Sequence, residues 1–516
     1  MTVNFQTPQS NVRLAEIVAA LCLATDLATG QPLEHGLRRA LLAVWLGEEL
    51  GLNSEELSDA YYVALLGTVG CTIQGAALAK YFKDEISIRK QMVTLDPTRP
   101  LQVAAFFLRQ AGAGDPPLRR LTKVLALPSE SRVVCRDVAL HVGDMLDLGP
   151  AVREALGQCD EQWNGKGRPL RLKGEEISLP ARLFLLAHDV EIFSRVGGVE
   201  AAVTVVRQRS GKVYDPRAAA HFGKVGGQLV TRLQSEPAWD AVLAAEPAPL
   251  RLLSAQELDD MAHAVANFVD MRSAYTLGHS PRVASLAETA ARRLGLSETE
   301  AIAVRQAGLL HDLGRAGVPV AAWNKSDPLT ATEWERMKRH PSLTELVLAR
   351  SSALGHLGTL AGLHHERLDG SGYRGVSAAS LPVTARLLAA ADTYQTKLEL
   401  RPHRTAMMPE VAAEEIRRQA NEGQLDSDVV TAVLAAAGHQ TQPKKRELPG
   451  GLSDHEVEVL CLAVRGLSNR QIAEALVVSP KTVGHHIEHI YEKIGVSTRV
   501  GATLFALQHG LTKHHS

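Results

Sequence analysis

Along almost the whole chain, apolar residues recur at three- and four-residue spacing, the pattern of amphipathic helices. One stretch begins at His279 and places Val283, Leu286, Ala287, Ala290 and Leu294 on one face before Gly295 stops it. Ser297-x-x-Glu300 opens the next helix as a capping box, and that helix runs apolar through Ala307 and Leu310 into His311-Asp312. Towards the C-terminal end the punctuation is denser. Ser453-x-x-Glu456 precedes Val457, Leu460 and Val464, with Gly466 closing the helix. Ser468-x-x-Gln471 opens a second, with Ile472, Ala473 and Leu476 inward. Ser479 caps a third with Pro480 at its first position, where a missing N–H costs nothing. Val483, Ile487, Ile490 and Ile494 form its buried stripe, and Gly495 ends it. Ser497 or Thr498 starts a fourth helix through Leu504 and Leu507. The pattern predicts an all-α chain.

The chain contains an internal repeat ahead of these last four helices. Glu34-His35-Gly36-Leu37-Arg38 followed by Leu50-Gly51-Leu52 reappears 244 residues later as Gly278-His279-Ser280-Pro281-Arg282 followed by Leu294-Gly295-Leu296. Asp160 to Gly167 reappears 205 residues later as His365 to Gly372. A duplication accounts for both matches and their order. Two stretches read as linkers, because Pro, Gly and charge there bury no surface. One contains Pro237, Pro247 and Pro249; the other contains Pro443, Lys444, Lys445, Arg446, Pro449 and Gly450. The expected organisation is a first copy at 1–233, a linker at 234–256, a second copy at 257–437, a linker at 438–450 and a small four-helix domain at 451–516.

Composition adds limits. The 516 residues carry a net charge of −1, so contact with nucleic acid must come from a local surface rather than a global basic field. Five scattered cysteines without a C-x-x-C pair argue against a thiolate zinc site and a disulfide framework. No basic n-region opens the chain and no apolar run reads as a membrane span, so a cytoplasmic location without membrane contact is expected.

The second copy concentrates the chemistry. His279, His311-Asp312, His340, His364-His365 and Asp392 punctuate helices that otherwise face a core. An apolar flank buries His311-Asp312, and a metal ion removes the cost of burying that charge. Nitrogen and oxygen donors without thiolate favour Fe, Mn or similar ions over structural zinc. These residues resemble the HD-GYP family, helical phosphodiesterases of the HD superfamily that open cyclic di-GMP. The resemblance is carried by His279-x-x-Arg282, His311-Asp312-Leu313-Gly314-Arg315, His340-Pro341, His364-His365-Glu366, Asp369-Gly370-Ser371-Gly372-Tyr373 and Ala391-Asp392, and covers about 259–437. It implies metal ligands at His279, His311, Asp312, His340, His364, His365 and Asp392, with Asp312 bridging two divalent ions, Fe or Mn. It also implies catalytic roles for Asp312 and Arg315, and a substrate contact at Tyr373. Arg401 and Arg404 match basic residues near substrate phosphates, although a solvated surface role is the alternative for both.

Two positions and one five-residue segment depart from the family pattern. Arg315 stands where lysine is usual, Arg374 replaces the proline after Gly372-Tyr373, and Gln395 to Glu399 replaces the usual Asp-Ala-Leu-Thr-Ser. In the first copy His35 keeps the first ligand, but Gly67 and Thr68 stand for His311-Asp312, Cys135 for His340, Cys159-Asp160 for His364-His365, and His188 for Asp392. The hydrolytic site is expected to be lost there; His35, Cys135, Cys159 and His188 are the only candidates for a remnant.

The C-terminal helices form a helix-turn-helix pattern. The third helix begins with Lys481, Thr482, His485, His486 and His489 outward, placed to meet base edges in a major groove, while Asn469, Arg470 and Gln471 on the preceding helix face phosphates. Leu467 to Ala473, Ser479 to Val483 and Lys493 to Val496 resemble the LuxR/NarL-type DNA-binding domain, which implies a DNA-binding homodimer formed through the last helix. Two functions follow from this architecture. One is a regulator whose middle domain hydrolyses a cyclic dinucleotide; the other is a transcription factor whose HD domains only sense a ligand.

Overall fold

The computed structural model describes residues 12–79, 81–82, 84–96, 99–110, 131–440, 449–476 and 478–511. Among these residues regular structure is helical, with only isolated bridges and no β-strand. Contacts divide the chain into two units, 1–440 and 441–516.

In the first unit, the first copy contributes α1 (Leu14–Thr29), α2 (His35–Glu49), α3 (Ser54–Leu66), α4 (Glu85–Met92), α5 (Ser131–Met145) and α6 (Leu179–Arg209). The second contributes α7 (Ala255–Asp270), α8 (His279–Arg293), α9 (Glu298–Leu310), α10 (His340–Leu348), α11 (Gly355–Ala361) and α12 (Val383–Leu398). The duplication is physical. α2 and α8, and α3 and α9, begin and end at positions 244 apart, and each pair is followed by a 3-10 turn at the same offset, Val69–Ile73 and Leu313–Gly317. Asp26 accepts the N–H of Gly36 at 3.1 Å, and Asp270 accepts that of Ser280 at 2.8 Å. Glu161 and Glu366 each accept two backbone N–H groups of the loop that follows, closing it as a buried carboxylate can. Gly167 and Gly372 lie so close to those glutamates that a Cβ would collide with Glu161 or Glu366.

The two copies share one continuous apolar core. Gly317 of the second copy rests on Leu27 of the first, and Ser351 donates to Glu16 at 2.6 Å. The stretch expected as a linker, 234–256, is a correction. It contains the helix Ala238–Ala244, with Trp239 and Val242 buried, and Glu246 pairs with Arg13 and accepts from Tyr62. Pro237 caps the start of that helix, and Pro247 and Pro249 follow its end. Most of the second expected linker, 441–448, lies outside the described residues. Residues Ser54–Leu78, with mean hydropathy 1.3, are long and apolar enough to cross a bilayer, which the periodicity did not bring out; Ala60 to Leu66 are buried in the first copy's core.

The second unit holds α13 (Asp454–Val464), α14 (Asn469–Leu476), α15 (Pro480–Ile494) and α16 (Arg499–Gln508) around Val459, Leu460, Ile472, Val483, Ile490 and Ala506. Ser453, Ser479 and Thr498 cap α13, α15 and α16, and Gly495 takes the left-handed conformation that stops α15.

Candidate metal centre

All the predicted ligands but Asp392 sit where a helix begins or ends. His279 is the first residue of α8, and His311 closes α9 so that Asp312 heads the 3-10 turn. Gly314 in that turn lies against the backbone of His340, where any side chain would collide, and this draws α10 onto the centre. His340 opens α10, His364-His365 follows α11, and Asp392 lies on α12.

The tautomers are set by the shell. His311, His340 and His364 donate Nδ1–H to the carbonyls of Gly308, Met337 and Ala361 at 2.7, 2.7 and 2.6 Å, which turns each Nε2 towards the centre. His279 uses Nδ1 on Glu399 at 3.0 Å. Two groups of donors converge, His279/His311/Asp312 and His340/His364/His365, each with its ligand atoms within 4.8 Å of one another. Asp312 stands between them. Its Oδ2 faces His311 and His279 at 3.2 and 3.7 Å, and its Oδ1 faces His340 and His364 at 3.4 and 3.8 Å. Asp392 spans the same gap, with Oδ1 3.2 Å from His279 and Oδ2 3.8 Å from His365.

This donor set fits metal. Nε2 of His311 is buried without a hydrogen-bond partner, a cost that a cation removes. Burial holds His340 and His364 down to about 4 and about 3, so both are neutral at pH 7, the form that can bind a metal. Burial opposes ionisation of Asp312, but Arg315 and His311 outweigh it and keep the carboxylate charged.

A cavity of about 760 Å³ opens on Asp312, His365 and Asp392. The predicted substrate residues Arg315, Tyr373, Arg401 and Arg404 all line it. They are not equivalent. Arg315 pairs with Asp312 at 2.7 Å and lies over the Trp323 ring, 3.9 Å from its centroid. Tyr373 packs against His365 with ring centroids 4.3 Å apart. Arg401 is held at 2.7 Å by Glu399, with its Nε unsatisfied. Arg404 spends its guanidinium on the carbonyls of Thr396, Lys397, Glu399 and Thr405, so it supports the end of α12 while bordering the cavity. Arg374 turns away to Glu345 at 2.6 Å.

The sequence reading missed Glu399, which holds His279, Arg282 and Arg401 together. A signal was present: Glu399 follows Asp392 by seven residues, two helical turns on the same face. Trp323, Lys325 and Trp334 on the cavity wall carried no such signal.

In the first copy the centre is filled. Arg39, fully buried, donates to the carbonyls of Ala64 and Leu65 and lies over Phe184. Phe184 occupies the space beside Gly67, where His311 has its side chain. His35 keeps a carboxylate on Nδ1, Glu191, and its Nε2 is 3.2 Å from His188. Among the described residues, His35, Cys135, Cys159 and His188 form no group of metal-ligand spacing.

In the second unit, Asn469, Arg470, Lys481, Thr482, His485 and His489 are exposed. Gln471 accepts from the N–H and hydroxyl of Ser468 at 2.9 Å, so it caps α14. His486 is half-buried against His455, with ring centroids 5.0 Å apart, and not on the outward face the spacing suggests.

Residues 263–429 match the HD domain family, and 451–506 match the LuxR family of bacterial regulatory proteins. The chain is 30% identical over 411 residues to 3'3'-cGAMP-specific phosphodiesterase 3 of Vibrio cholerae, covering 77% of this chain and 89% of that one. It is 34% identical over 199 residues to a cyclic di-GMP phosphodiesterase of Thermotoga maritima, covering 37% and 54%. The crystal structure of a cyclic GMP-AMP-specific phosphodiesterase of V. cholerae superposes with a TM-score of 0.58 and 26% identity, over 83% of this chain and 98% of that one. The chain therefore belongs to the HD-GYP phosphodiesterases, metal-dependent hydrolases, and carries a LuxR-type DNA-binding domain at its C-terminal end.

Proposed function

We propose that the second copy hydrolyses a 3'3'-cyclic dinucleotide, with 3'3'-cGAMP the first candidate, and that the C-terminal domain couples this nucleotide to DNA binding. The observation that carries the reading is the cavity of about 760 Å³, which joins the metal-ligand set to three aromatic rings and several cations. A volume in this range suits a ligand of that size. Trp323, Trp334 and Tyr373 offer faces for bases, and Arg315, Lys325 and Arg401 offer charge to two phosphates. The choice of cGAMP rests on coverage: the relative matched along both copies is named for it, whereas the cyclic di-GMP relative from T. maritima matches over 199 residues.

Two divalent ions, Fe or Mn, fit the two donor groups, with Asp312 and Asp392 between them. When bound they would activate a water and stabilise the oxygens of the scissile phosphate. The chain's own part is to position. Asp312 and Asp392 hold charge at the floor of the cavity, Arg315 is poised to leave Asp312 for a phosphate oxygen, and Tyr373 packs beside His365 to fix the substrate edge. A homodimer through α16 is supported by Val500, Leu504 and Leu507, which are 56–70% exposed on one face. Both activities suit a cytoplasmic protein.

The test is product formation from 3'3'-cGAMP and cyclic di-GMP by the Mn- or Fe-loaded full chain, beside a His311→Ala, Asp312→Ala variant, with metal counted per chain. Linear product and about two metals, both lost in the variant, are expected. Tight nucleotide binding without product would support the sensor reading instead, which the Arg315–Asp312 ion pair favours.

A further inference from the structure

In the first copy His35 remains, but thiols stand in the places of Arg315, His340 and His364. Cys71 stands 244 residues before Arg315, in the equivalent 3-10 turn. Cys135 takes the place of His340: Gly70 lies against the Cys135 carbonyl just as Gly314 lies against that of His340. Cys71 and Cys135 stand side by side as reduced thiols, close enough for their side chains to interact. Together with Cys159 they line a cavity of about 20 Å³, space for one small molecule. Cys71 is part-exposed, and Cys135 and Cys159 are buried.

Beside this pair lies Arg89, 7% exposed, with all three guanidinium nitrogens buried and without a hydrogen-bond acceptor. Its electrostatic partners are Cys71, Glu85 and Cys135. A buried cation lacking an acceptor is costly, and a thiolate beside it relieves that cost while becoming the stronger nucleophile. Glu85 is fixed on its other side. It accepts the N–H of Val320 at 2.5 Å, and Val320 follows the turn of Arg315, whose carbonyl accepts from Arg272 at 2.5 Å. Arg336 of the second copy also pairs with Asp84 at 2.6 Å. The thiol pair is thus connected through Arg89 and Glu85 to Val320, in the segment between Arg315 and Ala322 of the cavity wall.

We propose that Cys71 and Cys135 are a peroxide-oxidisable thiol pair occupying the relic centre of the first copy, and that Arg89 and Glu85 relay its state to the Arg315–Val320 segment beside the cavity. The oxidant is a hydroperoxide. The Cys71 thiolate attacks one peroxide oxygen, the O–O bond breaks, and the leaving oxygen takes a proton to depart as water or alcohol. Cys135 sulfur then attacks the sulfenic sulfur; the S–S bond forms, the S–O bond breaks, and hydroxide leaves as water with the Cys135 proton. Two thiols lose two electrons and the peroxide gains them. Disulfide formation needs Cβ carbons about 4 Å apart, a geometry near that of thiols already in contact. Once the disulfide forms, Arg89 has lost its thiolate partner and turns to Glu85, which loosens the bond to Val320. The consequence for turnover rests on the phosphodiesterase reading; the readouts chosen do not.

The test uses the full chain, reduced, desalted and treated with hydrogen peroxide. Peptide mapping without reductant should show residues 71 and 135 linked, with the thiol titre falling by two of five. Dithiothreitol should reverse both. Cys71→Ser and Cys135→Ser should each abolish the link, and Cys159→Ser should keep it. In the oxidised chain the Val320 amide should exchange about tenfold faster, as for loss of one hydrogen bond. An unchanged titre, a different pairing, or sulfinic acid without a link overturns the thiol site. A 71–135 link with Val320 exchange unchanged overturns the relay. If a serine variant fails to fold, the wild-type map and exchange decide alone.

Discussion

Replacing Glu399 with glutamine keeps its size and removes one charge from behind His279. In the wild type, burial opposes ionisation of Glu399, but hydrogen bonds from His279, Arg282 and Gln395 outweigh it and hold the carboxyl down to about 2. The carboxylate therefore makes the His279 imidazole a stronger donor on Nε2 and fixes its ring. Loss of such an outer partner weakens metal binding by about 10–100-fold, equivalent to about 1.4–2.7 kcal/mol. The lower part of that range is expected, because an amide oxygen still accepts from Nδ1 at the same place. Glu399→Ala, which also strips Arg401 of its 2.7 Å partner, belongs at the upper end. Titration of the full chain with Mn²⁺ in metal buffers, beside a thermal melt, measures this. Affinity within twofold of wild type at an unchanged Tm would refute the argument that Glu399 positions the ligand.

Three further outcomes follow from the geometry. Gly67→Ala drives a methyl into the Phe184 ring and should destabilise the first unit by about 1–3 kcal/mol, read as a lower Tm, with no gain of metal. Burial opposes ionisation of Glu456, but Lys493 and Ser453 pull it down to about 2, so its contribution is complete above its ordinary value near 4.5 and fades as pH falls from there towards 2. Hydrogen exchange of α13 should show that loss, and Glu456→Gln should abolish it. Lys481→Ala removes an exposed cation at the start of α15 and should lower the slope of log K against log salt for DNA by about 1, measured by fluorescence anisotropy.

Helical periodicity, the capping boxes and the repeat were local signals, and they sufficed for the all-α fold, the duplication and the four C-terminal helices. The candidates for the ligand set were legible as polar pairs on apolar flanks, His311-Asp312 and His364-His365, and the fold brings them together. Tertiary structure decided what depends on approach between distant segments. It made the expected linker at 234–256 a packed helix, since Trp239 and Val242 find the core of the first copy. It put Glu399 behind His279, turned Arg404 to the carbonyls of α12, and set His486 against His455. It also filled the relic centre with Arg39 and Phe184 and brought Cys71 to Cys135. A side chain's chemistry is written in its identity, but its partner is chosen only when helices far apart in sequence close on one another.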